Sequence, residues 1–197
     1  MRVSAAAALV LRATIASAWV YALTHPSLPQ LQDAATHART IGWPIGLLAV
    51  PAVLRLVWRD RPYPWRVDAL LALPFALDSA GNVLNLYHSW RLYDTMNHCF
   101  SWFDLAALAS MTPAVRSLPT WARTAMTLGA GAFGAILWEL GEFAAFLHSS
   151  YSRTSYSDTL TDLTAGLVGS AGAAAFVLLV IRRSGPEELA AAVVQTS

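Results

Sequence analysis

The chain has 197 residues, of which 56% are hydrophobic and only 13% are charged, and its formal net charge is +1. Soluble domains carry about 25% charged residues, so this composition indicates a protein that folds in lipid. The small net charge excludes the extended basic surface that nucleic-acid binding needs, and the single cysteine, Cys99, excludes an intrachain disulfide. Cys99 lies in an apolar stretch, where a small packing residue is the simplest interpretation.

Six apolar segments are long enough to cross a bilayer, which takes about 20 helical residues. They cover Val3–Leu23, Thr40–Trp58, Val67–His88, Tyr93–Met111, Arg123–His148 and Asp158–Ile181. The connections between them are short and contain helix breakers such as Pro62 and Pro64. We therefore predict an all-α polytopic helix bundle that forms one transmembrane domain, residues 1–181, followed by a short cytoplasmic tail, residues 182–197.

The arginines set the predicted orientation, because short cytoplasmic loops accumulate positive charge. With the N-terminus inside, nine arginines fall on the cytoplasmic side and three on the outer side. We predict a multi-pass protein of a bacterial-type cytoplasmic (inner) membrane, with both termini in the cytoplasm. Five tryptophans fall near the predicted interfaces, where amphipathic rings are favoured: Trp43, Trp58, Trp65, Trp90 and Trp121.

The first segment has a second interpretation. The stretch MRVSAAAALVLRATIASAWVYA also resembles a signal peptide, with VYA as a possible cleavage site. Arg12 in the middle of its apolar run favours a retained membrane helix. The other five helices keep the same orientation in either case.

Apart from Asp68 at the start of the third segment, seven of the twelve acidic residues lie in or at the last four segments, although a carboxylate at the bilayer centre costs about 2.5–3.5 kcal/mol. Spacings of three and four residues place side chains on one helix face. The groups with such spacing are Asp78 with Asn82 and Asn85, Asp94 with His98, Glu139 with Glu142, and Asp158 with Asp162. In the predicted orientation all four groups fall in the outer half of the bilayer, which predicts a shared acidic cavity.

Some of these residues have simpler explanations. Asp94 and Asp158 begin helices, where aspartate stabilises the first turn, and His98 is also compatible with a packed histidine bonded to a neighbouring helix. Glu139 and Glu142 lie inside a segment, where capping does not apply. Asp104 lies deeper, and Arg12 is its candidate partner as the one arginine in mid-membrane.

Three chemistries suit such a cavity. Carboxylates and His98 can ligate a divalent metal such as zinc, manganese or iron, carboxylates that share protons can act as an acid/base pair, and intramembrane acids also form proton or cation pathways. The candidate catalytic residues are Glu139, Asp94, Asp158 and Asp78, the candidate binding residues are Asn82, Asn85 and Glu142, and the candidate metal ligands are His98 and Asp162.

The leading hypothesis is an enzyme-like or binding site for a lipid or amphipathic small molecule that opens to the extracytoplasmic side. The alternatives are a proton- or cation-coupled transporter and a non-catalytic membrane module. The cytoplasmic halves of the last four segments are almost entirely apolar or small, which favours a one-sided pocket over a transport path. The sequence leaves open whether the site is catalytic. It also leaves the oligomeric state open.

Residues 78–172 resemble a known family. The stretches LDSAGN, YDTMNHCFSW, LWELGEF and YSDTLTDLTAGLVGSAG follow in the order seen in the YjdF-like bacterial inner-membrane family and, more distantly, in VanZ-like proteins. The resemblance implies a single polar constellation at Asp94, His98, Glu139, Glu142, Asp158, Asp162, Gly166 and Gly169. Thr95 and Thr164 stand where VanZ-like proteins often carry a lysine and an asparagine, so a VanZ-like role does not follow. The resemblance names no reaction.

Overall fold

The computed structural model describes residues 2–32, 40–146 and 155–183. Across these ranges it contains eight α-helices and no strand, which confirms the predicted all-α fold. The helices are α1 (Arg2–Thr24), α2 (Thr40–Val57), α3 (Trp65–Val83), α4 (Leu86–Ser89), α5 (Tyr93–Ser110), α6 (Pro113–Arg116), α7 (Thr120–Phe146) and α8 (Ser155–Arg183).

Six of these helices are long and correspond to the six predicted segments, whereas α4 and α6 are single turns within connections. The predicted end of the fifth segment, His148, and residues 184–197 of the predicted tail lie outside the described residues. In the part that is described, three spans are long and apolar enough to cross a membrane: Val3–Thr24, Thr40–Val57 and Tyr156–Val180. Large apolar side chains such as Leu56, Phe133 and Leu167 are exposed on the outside of the bundle, as expected of a surface in contact with lipid.

The third helix is shorter than predicted. The sequence predicts a helix to His88, but α3 ends at Val83, and Asn85 adopts a left-handed conformation with φ of 58°. Asparagine tolerates this conformation because its short polar side chain costs little there. Asn85 therefore lies beyond α3 and does not share a continuous helix face with Asp78.

The helices pack as two groups of three. One group consists of α1, α2 and α3, the other of α5, α7 and α8, and α3 packs against α5 between the groups. The first group buries a core that includes Ile15, Trp43 and Ala76. Trp43 is 1% exposed, so its ring packs within this core and not on the outer surface of the bundle. The order of the helices brings the ends of α3 and α7 to the same end of the bundle as the starts of α5 and α8.

The guanidinium of Arg12 joins the three helices of the first group. Its Nε donates to Asp68 Oδ2 at 3.1 Å, its Nη2 pairs with Asp68 Oδ1, and its Nη1 donates to the carbonyls of Gly46 and Leu47 at 3.0 and 2.7 Å. Asp68 is in the first turn of α3 and is 1% exposed. The predicted pairing of Arg12 with Asp104 is therefore wrong.

The carbonyls that Arg12 binds belong to a π-helical segment within α2, Ile45–Ala49. Pro51 follows one turn later and has no N–H to donate to them. Arg12 thus donates to carbonyls next to a position where the helix lacks one N–H donor. At the same end of α3, burial raises the pKa of the Tyr63 hydroxyl, and the nearby charge of Asp68 raises it further.

Arg12→Ala should strongly destabilise the protein. It leaves the Asp68 carboxylate buried without its countercharge, a loss worth about 3–5 kcal/mol for buried ion pairs. We expect a clear fall in the thermal midpoint measured in detergent. Arg59→Ala is the matched control, because Arg59 and Asp60 form an exposed pair, 75% and 85% accessible, whose loss should change the midpoint little. Equal effects of the two substitutions would contradict this role for Arg12.

Small residues allow the helices of the second group to approach closely. A Cβ added at Gly169 of α8 would overlap the backbone carbonyl of Cys99 on α5, and one added at Gly134 of α7 would overlap the ring of Trp102. Glycine permits this kind of backbone approach between membrane helices. These contacts hold α5, α7 and α8 close together.

Gly169→Ala should disrupt the contact between α5 and α8. The new methyl group meets backbone and not a flexible side chain, so the helices must move apart, at a cost typical of overpacking, about 1–3 kcal/mol. Gly129→Ala provides the control, because a Cβ there meets nothing within 4 Å and alanine favours helix by about 1 kcal/mol over glycine. We expect Gly169→Ala to lower the thermal midpoint and Gly129→Ala to preserve or raise it; the reverse order would refute the close approach.

Candidate functional site

A buried imidazole lies where α7 ends and α5 and α8 begin. His98 is 8% exposed, and carboxylates from all three helices surround it. Its Nε2 is 3.6 Å from Asp94 Oδ1 and 4.0 Å from Asp162 Oδ1, and its Nδ1 is 3.8 Å from Glu139 Oε1. We call these four residues the His98 cluster.

The helix geometry explains why these side chains meet. Asp94 and His98 are four residues apart on α5, a spacing that places side chains on one face. The close packing at Gly134 brings α7 against α5, and that at Gly169 brings α8 against it. Glu139 and Asp162 thereby reach the imidazole from two sides.

Two further carboxylates lie near the cluster. Asp158 and Glu142 lie close enough for their charges to act on both Glu139 and Asp162. Glu142 accepts a hydrogen bond from Trp138 Nε1 at 3.1 Å. The site therefore gathers five carboxylates around a single imidazole, and such an excess of buried negative charge is costly unless protons or a cation offset it.

The donor atoms fit a divalent metal ion. One ligand atom each from Asp94, His98 and Asp162 lies within 4.8 Å of the other two. Two ligands of a tetrahedral ion, each about 2.1 Å from it, lie about 3.4 Å apart, so small side-chain rotations bring these atoms into range. Imidazole with carboxylates suits zinc, manganese or iron, and three protein ligands leave a coordination position open.

Glu139 occupies the place of a partner that orients a metal-bound histidine. Metal-binding histidines donate their second ring N–H to a carboxylate or carbonyl, which fixes the tautomer and the ring orientation. Glu139 faces Nδ1, whereas Asp94 and Asp162 face Nε2. The two nitrogens of His98 thus have different surroundings, as a metal ligand requires.

Comparison with known proteins places the chain in a family. Residues 7–183 match the family described as "Predicted membrane protein (DUF2238)". The chain belongs to this family. The match extends over both helix groups and includes every member of the His98 cluster. No curated protein and no solved structure matches the chain.

In this DUF2238 chain, Asp78 lies in a second polar network between the two helix groups. Its Oδ2 accepts a hydrogen bond from Trp43 Nε1 at 2.6 Å, and its Oδ1 accepts one from the Tyr87 hydroxyl at 2.8 Å. Asn97 Nδ2 donates to the Tyr87 oxygen at 2.9 Å, and Ser101 donates to Asn97 at 3.2 Å. Neutral donors on α2 and α4 therefore bind the Asp78 carboxylate directly, and Asn97 on α5 joins the network through Tyr87.

The remaining predicted site residues divide between the two places. Asn82 donates to the Asp78 backbone carbonyl at 2.9 Å and to its Oδ1 at 3.3 Å, so it belongs to the Asp78 network. Asn85 Oδ1 and Asp104 Oδ2 are buried and accept no hydrogen bond within the described ranges. The structure thus brings Asp94, His98, Glu139 and Asp162 together and places Asp78 in the neighbouring network.

Sequence reasoning missed the neutral members of the Asp78 network, which are Trp43, Tyr87, Asn97 and Ser101. One signal was available for Asn97, because it lies three residues after Asp94 and four before Ser101 on a polar stripe of α5. For Trp43 and Tyr87 the partners are 35 and 9 residues away in sequence. Helix periodicity carries no information about such contacts.

Tyr87→Phe should weaken the junction between the two helix groups. The substitution removes the hydroxyl to which Asp78 and Asn97 are both hydrogen-bonded. A buried polar group left without its hydrogen-bond partner costs about 1–3 kcal/mol. We expect a lower thermal midpoint for Tyr87→Phe and little change for Tyr21→Phe, which alters an exposed tyrosine of α1. Indistinguishable midpoints would argue against a structural role of the network.

Proposed function

We propose that this chain is a multi-pass inner-membrane protein whose His98 cluster is a divalent-metal site that acts on or binds a lipid or amphipathic small molecule. One observation carries the proposal: the imidazole of His98 lies between two carboxylates on its Nε2 side and a third carboxylate on its Nδ1 side. A structural histidine needs one partner for each nitrogen, whereas this one has a surplus of anionic neighbours.

The residues of the cluster have separate roles in this proposal. Asp94, His98 and Asp162 would hold the metal, and Glu139 would accept a hydrogen bond from Nδ1–H, which leaves the lone pair of Nε2 for the metal. A bound metal supplies a Lewis acid that polarises an oxygen of the ligand or of water. Asp158 and Glu142 are half-buried beside the cluster, where a carboxylate can accept or donate a proton.

The orientation of the site is also part of the proposal. With nine arginines on the cytoplasmic side, the end of the bundle that carries the cluster faces the extracytoplasmic side. The motifs around Asp94, Glu139 and Asp162 support a finer relation to the YjdF-like group and a more distant one to VanZ-like proteins.

Metal content measured on purified protein tests the metal site. We expect about one zinc or manganese ion per chain after loading and removal of excess metal, because the three ligands form one site. His98→Ala and Asp162→Asn should lose the ion. Glu139→Gln should retain it with an affinity about 10–100-fold lower, as for other partners of metal-bound histidines, measured by competition with a chelator.

Glu142→Gln is the matched control for these variants. Glu142 lies one turn from Glu139 on α7, and glutamine keeps an oxygen that can accept the bond from Trp138. This variant should bind metal like the wild type. Wild-type protein that takes up no ion, or a His98→Ala variant that binds as tightly as the wild type, would reject the proposed site.

A further inference from the structure

A groove of about 650 Å³ runs between α5 and α8 beside the His98 cluster. Thr95 and Cys99 line it from α5, and residues between Tyr156 and Val168 line it from α8. Its volume falls within the range of about 300–1,000 Å³ that is usual for small-molecule sites. No member of the cluster itself lines the groove, so it is a second feature next to the proposed metal site.

Polar residues are more frequent toward one end of the groove. Thr95, Ser157 and Thr161 line the end where both helices begin, together with Tyr156 and Leu160, whereas Thr164, Ala165 and Val168 line the deeper end. The Thr161 hydroxyl donates to the Ser157 carbonyl at 2.9 Å, so its proton is used within the helix. The Thr161 oxygen can still accept a hydrogen bond.

The polar end of the groove lies alongside the cluster. Thr95 directly follows Asp94 on α5, and Thr161 directly precedes Asp162 on α8. The flank of the groove is open to the surroundings, since Leu160 is 47% and Val168 is 58% exposed. In a bilayer this flank contacts hydrocarbon, so a molecule can enter sideways from the lipid.

We propose that the groove holds the hydrocarbon chain of a single-chain amphiphile whose anionic head, a carboxylate or a phosphate, reaches the metal of the His98 cluster. The inference rests on the proposed metal site, because five carboxylates without a cation would repel an anionic head. With three protein ligands, the metal has a coordination position open for an anionic oxygen. The hydroxyl-bearing end suits the head, and the end at Val168 suits the chain.

Cys99 provides a built-in reporter of occupancy, because it is the only cysteine of the chain, is half-buried and lines the groove. The rate of its alkylation by a small maleimide is measured on metal-loaded wild-type protein in detergent. The added probes are palmitic acid, palmitoyl lysophosphatidic acid and, as an uncharged control, 1-hexadecanol. We expect an anionic amphiphile at about ten times its Kd to slow alkylation about tenfold, and 1-hexadecanol at the same concentration to slow it much less.

The two anionic probes distinguish the possible heads. Protection by palmitic acid alone assigns a carboxylate, and protection by the lysophosphatidic acid alone assigns a phosphate. Removal of the metal by a chelator should abolish the protection in either case. Equal protection by all three probes, with and without metal, would show that the head does not reach the cluster and would overturn the inference.

Val168→Trp and Leu167→Trp form a matched pair. The two residues are adjacent and similarly exposed, 58% and 51%, but only Val168 lines the groove. Binding of the preferred anionic probe is read by native mass spectrometry, since an indole near Cys99 also shields the thiol. Val168→Trp should lose the probe while retaining its metal and its thermal midpoint, and Leu167→Trp should keep all three.

Metal content measured on the same samples separates the two proposals. Bound metal without protection of Cys99, or unimpaired probe binding by Val168→Trp, overturns the groove alone and leaves the metal site intact. If the protein binds no metal, the proposed function is overturned, and with it the proposal that an anionic head binds at the cluster.

Discussion

A charged side chain that is buried in lipid needs a partner from within the helix bundle, and this constraint organises the structure. Water is absent from the hydrocarbon region, so an unpaired ion there is costly. Asp68 meets the requirement with the guanidinium of Arg12. Asp78 meets it with neutral donors from Trp43 and Tyr87. The His98 cluster differs from both, because its carboxylates outnumber the one side chain able to carry a positive charge.

That difference is our basis for separating structural polar residues from candidate functional ones. The pair of Arg12 and Asp68 joins α1 to α3 and also binds the π-helical segment of α2. The Asp78 network joins the first helix group to α5. Both of these sites find their partners within the chain, whereas the His98 cluster has more carboxylates than cationic side chains, an excess that we propose a bound cation offsets. In our proposal, a cation bound by the cluster would lie at the end of the bundle beside the groove, within reach of an amphiphile.

Much of the fold followed from the sequence because hydrophobic length and helix spacing are local properties. The six long helices, and the pairing of Asp94 with His98, depend on residues close together in the chain. The proximity of His98 to Glu139 and Asp162 was predicted only from their shared depth in the bilayer, because the antiparallel order of the helices determines which helix ends lie together.

The rest depended on how each helix is rotated about its axis. The sequence suggested Asp104 as the partner of Arg12, whereas the packing of α1 against α3 brings Arg12 to Asp68. Asp78 was expected to join the other acids, but the rotation of α3 directs it toward Trp43 and Tyr87. The left-handed turn at Asn85 ended α3 early, and helical periodicity does not signal such a turn.

X-ray absorption spectroscopy of the zinc-loaded protein tests most directly whether His98 binds a metal. A histidine ligand gives nitrogen at about 2.0–2.1 Å from zinc together with the outer-shell scattering of an imidazole ring. We expect that imidazole signature in the wild type and its loss in His98→Ala, while the Glu142→Gln spectrum stays that of the wild type. An absorption spectrum without imidazole scattering in the wild type, or one unchanged in His98→Ala, would contradict a metal centre built on His98.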